Sequence, residues 1–284
     1  MLLIQSFYHQ ESAAFCHLIV DDLSGVAALI DPVLGFDVVT GRVDHEFMDA
    51  ILAKIKLNNW HLKWSLETHV HADHLTASNY VKERLGAKLV ISDKVKIVQL
   101  HFDEVYATQS VHERSFDLYV KNGDCLDFGE FKIRVLETPG HTPACVSYVI
   151  EDGNQAHAFV GDTIFMPDIG TARCDFPGGD AAQLFDSIQT LYALGSDAFL
   201  YMCHDNATSL RPHCARISVE EQQKNNIHCA EGMTKDEYIK IRQNRDASLS
   251  WPKLMLCSIQ VNIRAGLFPA ADTQGRRYLK IPVS

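Results

Sequence analysis

The stretch that most constrains this chain is Thr68-His69-Val70-His71-Ala72-Asp73-His74, which follows an apolar run from Leu62 to Leu66. It places three histidines and one aspartate within six residues. Imidazole and carboxylate groups are the usual protein ligands of borderline divalent metals. A single histidine is most often an ordinary surface or core residue, but four such groups at this density are difficult to explain by packing. The pattern H-x-H-x-D-H therefore predicts a metal site in a loop that follows a strand.

Composition narrows the class of protein. The chain has 284 residues, of which 46% are hydrophobic and 22% charged, as in ordinary globular proteins. Its formal net charge is −10 and it has no basic run, which argues against a nucleic-acid partner. No apolar stretch reaches the roughly 18 residues that a membrane span needs. Eight cysteines without a C-x-x-C pair are typical of reduced thiols. We therefore expect a soluble, cytoplasmic protein with neither nucleic acid nor membrane as a partner.

Hydrophobic periodicity predicts alternating strands and helices. Asp44 is a candidate N-cap for the first helix, and Gly86 a candidate terminator of the second. No repeat or linker divides the chain, so we expect one α/β domain over residues 1–284, with two sheets packed face to face, helices outside, and residues from about 211 to 284 as an appended helical segment. The predicted elements are strands at 14–20, 26–30, 62–66, 88–91, 118–120, 125–128, 131–136, 146–150, 156–160 and 198–202, and helices at 44–57, 76–85, 93–100, 180–194 and, with interruptions, 219–245.

Three further candidate ligands follow predicted strands. His141 lies in the turn Thr138-Pro139-Gly140-His141, Asp162 follows the strand at 156–160, and His204 follows the strand at 198–202. Each is a weak signal alone, because a P-G-H turn or an aspartate at a strand end has ordinary structural uses. Together with the histidine cluster, they put a possible ligand at the end of four strands, where loops on a rigid sheet commonly carry chemistry.

This order of ligands resembles that of the metallo-β-lactamase superfamily, which implies a four-layered αβ/βα sandwich. The resemblance also implies two metal subsites, one lined by His69, His71 and His141 and the other by Asp73, His74 and His204, with Asp162 able to bridge them. Two outcomes stay open at this point. Two bridged metals would make a hydrolase site, whereas one metal held by two histidines and a carboxylate would leave positions for substrate and dioxygen, as in non-haem Fe(II) oxygenases.

The segment Gly161-Asp162-Thr163-Ile164-Phe165-Met166-Pro167-Asp168-Ile169-Gly170-Thr171-Ala172-Arg173-Cys174-Asp175-Phe176 resembles the persulfide dioxygenases, also called sulfur dioxygenases, and especially their bacterial subgroup. The stretches 138–145 and 260–266 resemble the same subgroup. The resemblance implies one Fe(II) per chain, held by His69, His141 and Asp162. It also implies oxidation of glutathione persulfide, or a similar small persulfide, by dioxygen to sulfite and thiol. The remaining cluster residues would then surround the iron or hold a second metal: His71, Asp73, His74 and His204.

Arg173 is the candidate for binding substrate, because guanidinium forms bidentate pairs with carboxylates such as those of glutathione. The structural alternative is a pair of Arg173 with Asp175 or with Asp168. Asp175 could instead accept a hydrogen bond from a ligand histidine. Arg264 is a second candidate of the same kind as Arg173.

Two other functions compete with the dioxygenase. A thioester hydrolase of the glyoxalase II type would use one or two zinc ions at the same ligand positions. A non-catalytic metal- or persulfide-sensing module would need no complete ligand set. We expect persulfide and dioxygen as the small-molecule partners, and association into a homodimer is compatible with the sequence.

Overall fold

A computed structural model describes residues 1–107, 115–153, 155–206 and 211–283. The first part of the chain comprises β1 (Leu2–His9), β2 (Ala14–Asp21), β3 (Val26–Ile30), β4 (Val33–Asp37), β5 (Arg42–Asp44), α1 (Glu46–Leu57), β6 (His61–Leu66), β7 (Leu75–Thr76), α2 (Ser78–Leu85), β8 (Lys88–Ser92), α3 (Val95–Tyr106) and β9 (Leu118–Val120). The second comprises β10 (Cys125–Phe128), β11 (Phe131–Glu137), β12 (Val146–Asp152), β13 (Gln155–Phe159), α4 (Ala181–Tyr192), β14 (Phe199–Tyr201), β15 (Arg216–Ser218), α5 (Val219–Asn225), α6 (Lys235–Asp246) and α7 (Met255–Asn262).

Two six-stranded sheets form the centre of the molecule. The first has the order β1-β2-β3-β6-β8-β9 and the second the order β10-β11-β12-β13-β14-β15. In the second sheet β11, β12 and β13 are successively antiparallel, whereas β14 lies parallel to β13. The carboxyl ends of β11, β13 and β14 consequently lie at the same edge of the sheet.

Each sheet is buried on both faces. In β2, Ile19 faces the second sheet, while Leu18 and Val20 face the helices, as expected from the alternation of side chains along a strand. The core between the sheets includes Ile30 from β3 and Tyr148 from β12. The outer cores are formed with α1 and α2 on one side and with α4 and α6 on the other. This arrangement is the four-layered αβ/βα sandwich that the sequence predicts.

Three predicted helix starts are wrong. The helix predicted at 93–100 begins at Val95 and continues to Tyr106. The helix predicted from Thr76 begins at Ser78, because Leu75 and Thr76 form β7 and pair with β4. The helix predicted from Asp44 begins at Glu46, and the Asp44 carboxylate accepts the Glu46 N–H at 2.8 Å from outside the helix. Such boundary pairings depend on contacts with distant strands, which local periodicity does not contain.

The segment that follows residue 211 contributes to both sides of the sandwich. It begins with β15, which extends the second sheet, and α6 packs on α4 through Tyr238 and Phe185, whose ring centroids lie 5.4 Å apart. At α7, Val261 belongs to the core outside the first sheet. None of the helices in the described ranges combines the length and the apolar character needed to span a bilayer.

Candidate metal centre

The histidine loop, residues 68–74, follows the carboxyl end of β6 and is almost wholly enclosed. The side chains of His69, His71 and His74 are at most 1% exposed. The Thr68 carbonyl accepts the N–H of Val146, the first residue of β12, at 2.9 Å. This bond fastens the loop of the first sheet to the edge of the second sheet where β11, β13 and β14 end.

Three predicted ligands converge at this edge. Nε2 of His69 lies 3.9 Å from Oδ2 of Asp162, and Nε2 of His141 lies 3.8 Å from the same oxygen. One ligand atom from each residue fits within 4.8 Å of the other two. The three residues come from the turns after β6, β11 and β13, so a metal bound here would join both sheets.

The remaining ring nitrogen of each triad histidine has a hydrogen-bond partner. Nδ1 of His69 lies 3.0 Å from the Thr68 hydroxyl, and Nδ1 of His141 lies 2.8 Å from the carbonyl oxygen of Arg173. A carbonyl only accepts, so His141 carries its proton on Nδ1 and presents the lone pair of Nε2 to the centre. Burial lowers the pKa of both histidines, and for His69 the neighbouring imidazoles lower it further. Neutral imidazole is the form that binds metal.

A second cluster lies beside the triad. It consists of His71, Asp73, His74 and His204, whose ligand atoms also fit within 4.8 Å of one another. Nδ1 of His74 lies 3.2 Å from the Leu75 carbonyl, which leaves Nε2 directed inward. Nε2 of His204 lies 3.2 Å from Oδ2 of Asp73 and 3.5 Å from Oδ1 of Asp162. Asp162 therefore stands between the two clusters.

The donor atoms of these clusters fit a metal. Among the described residues, the buried side-chain atoms without a hydrogen-bond partner include Nδ1 of His71, Nε2 of His74, Nε2 of His204 and Oδ1 of Asp162. Leaving a buried polar atom unpaired costs about 1–3 kcal/mol. The three histidine nitrogens belong to the second cluster, where coordination of one metal would satisfy them together, and Oδ1 of Asp162 lies 3.5 Å from Nε2 of His204.

A cavity of about 220 Å³ opens onto the triad. His141, Asp73 and Asp162 form its inner end. Apolar side chains form its walls, and residues of α6 form part of its mouth. The lining includes Phe165, Ile169, Ala172, Phe176, His228, Arg242, Arg245, Leu249 and Pro252. The cavity would give a small molecule access to a metal bound by the triad.

Comparison with known proteins agrees with this geometry. The profile of the Metallo-beta-lactamase superfamily matches residues 11–204. The chain belongs to the metallo-β-lactamase superfamily. The predicted superfamily and fold are thus confirmed.

Relatives within the superfamily carry several names. A probable metallo-hydrolase of Burkholderia pseudomallei is 43% identical over 99% of this chain and 98% of its own length. Glyoxylase B2 of Dictyostelium discoideum is 41% identical over 99% and 97%. The human mitochondrial persulfide dioxygenase ETHE1 is 29% identical over 94% and 89%. The crystal structure of ETHE1 from Myxococcus xanthus has a TM-score of 0.74 at 29% identity, covering 93% of this chain and 100% of that one.

His71 belongs to a different cluster from the one that the superfamily resemblance implies. The superfamily resemblance put His71 beside His69 and His141, but the atoms of His71 group with the second cluster. Its Nε2 lies 3.0 Å from Oδ1 of Asp31 and 3.4 Å from Oε2 of Glu67. Burial alone would lower the pKa of His71, but the two carboxylates raise it well above its ordinary value. The ring centroid of His71 lies 4.1 Å from that of His69, but its ligand atoms group with the second cluster and not with the triad.

Asp31, Glu67 and Asn262 are site residues that the sequence analysis missed. Asp31 accepts hydrogen bonds from the Thr68 N–H, the Thr68 hydroxyl and Nε2 of His71. Glu67 accepts from the hydroxyls of Thr76 and Ser78. Asn262, in α7, donates to the carbonyls of His71 and His74, both at 2.8 Å. The local signals were an aspartate that ends an apolar strand and a glutamate next to the histidine loop.

The three predicted substrate residues have other partners in the structure. Arg173 forms a bidentate pair with Asp175, with both N···O distances at 2.6 Å, and donates to the Ser250 carbonyl. The candidate ligand His141 bonds to the Arg173 carbonyl, so the interpretation of Asp175 as its acceptor is wrong. Nε of Arg264 donates to the carbonyl oxygen of Gln260 at 3.0 Å. Of the three, only Arg173 lines the cavity.

Proposed function

We propose that this protein is a persulfide dioxygenase with one Fe(II) held by His69, His141 and Asp162. The reaction converts a persulfide RSSH, O₂ and H₂O into the thiol RSH and sulfurous acid. The terminal sulfur is oxidised by four electrons, O₂ is reduced, and the S–S bond breaks. The observation that supports this proposal is the compact triad of two histidines and one carboxylate, from which His71 is excluded by its hydrogen bond to Asp31. This ligand set is typical of non-haem Fe(II) oxygenases.

The chain itself would hold and orient the reactants. Ferrous iron, when bound, would supply the redox chemistry that allows O₂ to react with sulfur. Thr68 and the Arg173 carbonyl fix the rings of His69 and His141 through their Nδ1 atoms. Phe165 and Phe176 contribute apolar walls to the cavity beside the triad. A persulfide entering the cavity would thus meet the metal in a fixed geometry, which accounts for the rate advantage of positioning.

The test compares His141→Ala with His61→Ala, an exposed histidine at the start of β6. Loss of a group that orients a metal ligand already costs about 10–100-fold. Loss of a ligand should therefore lower oxygen consumption with glutathione persulfide by more than about 100-fold. We expect about one iron per chain and sulfite as product in the wild type and in His61→Ala. Equal oxygen consumption by His141→Ala and the wild type would exclude the proposed site.

A second candidate is a dinuclear zinc thioester hydrolase. The second cluster favours it, because His71 and His74 each keep an unpartnered nitrogen there. The names of the metallo-hydrolase and glyoxylase relatives agree with it. Metal content and activity of protein purified without added metal distinguish the two functions. Two zinc ions per chain and hydrolysis of S-lactoylglutathione without oxygen consumption would replace the dioxygenase by the hydrolase.

We also propose that the protein works in the cytoplasm. All eight cysteines are free thiols in the structure. Five of them are buried in the interior of the protein. Reduced thiols of this kind are usual in reducing compartments.

A further inference from the structure

Three arginines line the cavity, and two of them are committed to the fold. Arg173 is paired with Asp175 and lies over the ring of Trp251, 4.7 Å from its centroid. Arg242 is 2% exposed, with Nη2 at 2.7 Å from Oδ1 of Asp246 and Nη1 at 2.8 Å from the Thr171 carbonyl. Each guanidinium is thus neutralised by its own carboxylate.

Arg245 is different. It is exposed at the mouth of the cavity, and within the described part of the chain its guanidinium makes neither a hydrogen bond nor an ion pair. It stands three residues after Arg242 on α6, so both side chains project from the same face of the helix. A capping box of Thr234 and Glu237 fixes the start of α6. The helix therefore holds one uncompensated positive charge at the cavity mouth.

The positive charge of Arg245 affects the protonation of His228, another residue that lines the cavity. Burial, then Arg242, then Arg245 lower the pKa of His228 to about 4, so His228 is neutral at physiological pH. The stretch between the triad and Arg245 is apolar, with Phe165, Ile169 and Leu249 in the walls. A ligand with a sulfur group at the triad and an anionic group at the mouth would match the two ends of this cavity.

We propose that Arg245 binds a carboxylate of the substrate and thereby selects persulfides of small thiols that carry an acidic group. Arg245, rather than Arg173 or Arg264, is the residue that determines specificity. This proposal rests on the proposed function for its sulfur chemistry, but the binding of the carboxylate can be measured without it. Guanidinium suits this role because its planar donors match the two oxygens of a carboxylate.

The first measurement is calorimetric binding of S-methylglutathione to the metal-containing protein. A hydrogen bond to a charged group corresponds to a change in affinity of about ten-fold or more. We expect Arg245→Gln to bind about ten-fold more weakly than the wild type and Arg245→Glu more weakly still. Arg42→Gln, an exposed arginine of β5 outside the cavity, is the matched control and should bind as the wild type does. The diethyl ester of S-methylglutathione should bind equally to the wild type and to Arg245→Gln.

Equal affinity of the wild type and Arg245→Gln for S-methylglutathione would overturn the assignment. Absence of wild-type binding at millimolar concentration would overturn it as well. The second measurement, steady-state oxygen consumption, separates the two proposals. With glutathione persulfide, Arg245→Gln should raise KM about ten-fold and leave kcat unchanged, as expected for lost uniform binding. Arginine-dependent binding without oxygen consumption would reject the dioxygenase and keep Arg245. If Arg245→Gln consumes oxygen with the KM of the wild type, the role of Arg245 is rejected and the dioxygenase is kept.

Discussion

Among single residues, Asp31 connects the most parts of the metal centre. It is 1% exposed and has a φ of 51°, a left-handed conformation that aspartate and asparagine tolerate better than most residues. Its Oδ1 accepts from the Thr68 N–H and from Nε2 of His71, while Oδ2 accepts from the Thr68 hydroxyl. Because the Thr68 hydroxyl gives its proton to Asp31, it is left to accept the Nδ1 proton of His69. One carboxylate thus sets the tautomer of His69 through Thr68 and holds the ring of His71 directly.

Asp31→Asn tests this role. Asparagine keeps the left-handed backbone, but its amide has only one oxygen. It must lose either the bond to His71 or the bond from the Thr68 hydroxyl, and the second loss frees Thr68 to donate to Nδ1 of His69. We expect metal affinity to fall about 10–100-fold, as for other groups that orient metal ligands. Metal content after dialysis against a graded chelator measures it, with the exposed Asp22→Asn as control. Unchanged retention in Asp31→Asn would refute the role.

At the scale of elements, α4 holds the turn that carries His141. The turn residue Gly140 accepts the Asp180 N–H at 2.8 Å, and the Ser187 hydroxyl donates to the Pro139 carbonyl at 2.7 Å. Gly140 has a φ of 135°, and a Cβ there would lie 2.4 Å from the backbone of Leu184. The helix and the turn are therefore in direct backbone contact, which only glycine permits.

Gly140→Ala should displace this turn. Backbone atoms of α4 cannot move aside as a flexible side chain could, so His141 must shift from the triad. We expect a loss of unfolding free energy of about 1–3 kcal/mol, as for other overpacked sites, together with reduced metal content. Gly123→Ala is the control, because its φ of 84° is also strained but no atom lies within 4 Å of the added Cβ. If both variants retain metal equally, the contact with α4 does not position His141.

The same residues show how much the sequence could predict. The sandwich was predictable because buried strands such as β2 are continuous apolar runs. The candidate ligands were predictable because the dense cluster at residues 69–74 is followed by a histidine or an aspartate at three further strand ends. The partners of those ligands were not predictable. Asn262 bonds to the carbonyl of His71, 191 residues away, and local sequence holds no sign of such a contact. The choice between Asp175 and Asp168 for Arg173 likewise depended on Arg211, which pairs with Asp168.

At the scale of the whole molecule, His17 reports on the packing of the two sheets. It lies on β2, is 1% exposed, and its Nε2 lies 3.0 Å from the Met202 carbonyl beyond β14. Nδ1 lies 2.9 Å from the Ser6 hydroxyl, so the neutral ring uses both nitrogens. Burial lowers the pKa of His17 to about 4. The folded state therefore binds this proton less readily than the unfolded chain, and stability present above the ordinary pKa of about 6.5 is lost as pH falls toward 4.

This linkage predicts an acid-dependent loss of stability that belongs to His17. Between pH 7 and pH 5.5, protonation of this residue in the unfolded state should lower the free energy of unfolding by about 1 kcal/mol. In His17→Gln that part of the pH dependence should disappear, while the exposed His61→Gln should keep it. Urea unfolding at both pH values, with the same chelator throughout, measures the change in the free energy of unfolding for each protein. The contribution of other buried histidines, such as His228, is the same in the wild type and in His17→Gln and cancels when the two changes are subtracted. An equal drop in His17→Gln and wild type would show that the sheets separate, or admit water at His17, before the chain unfolds.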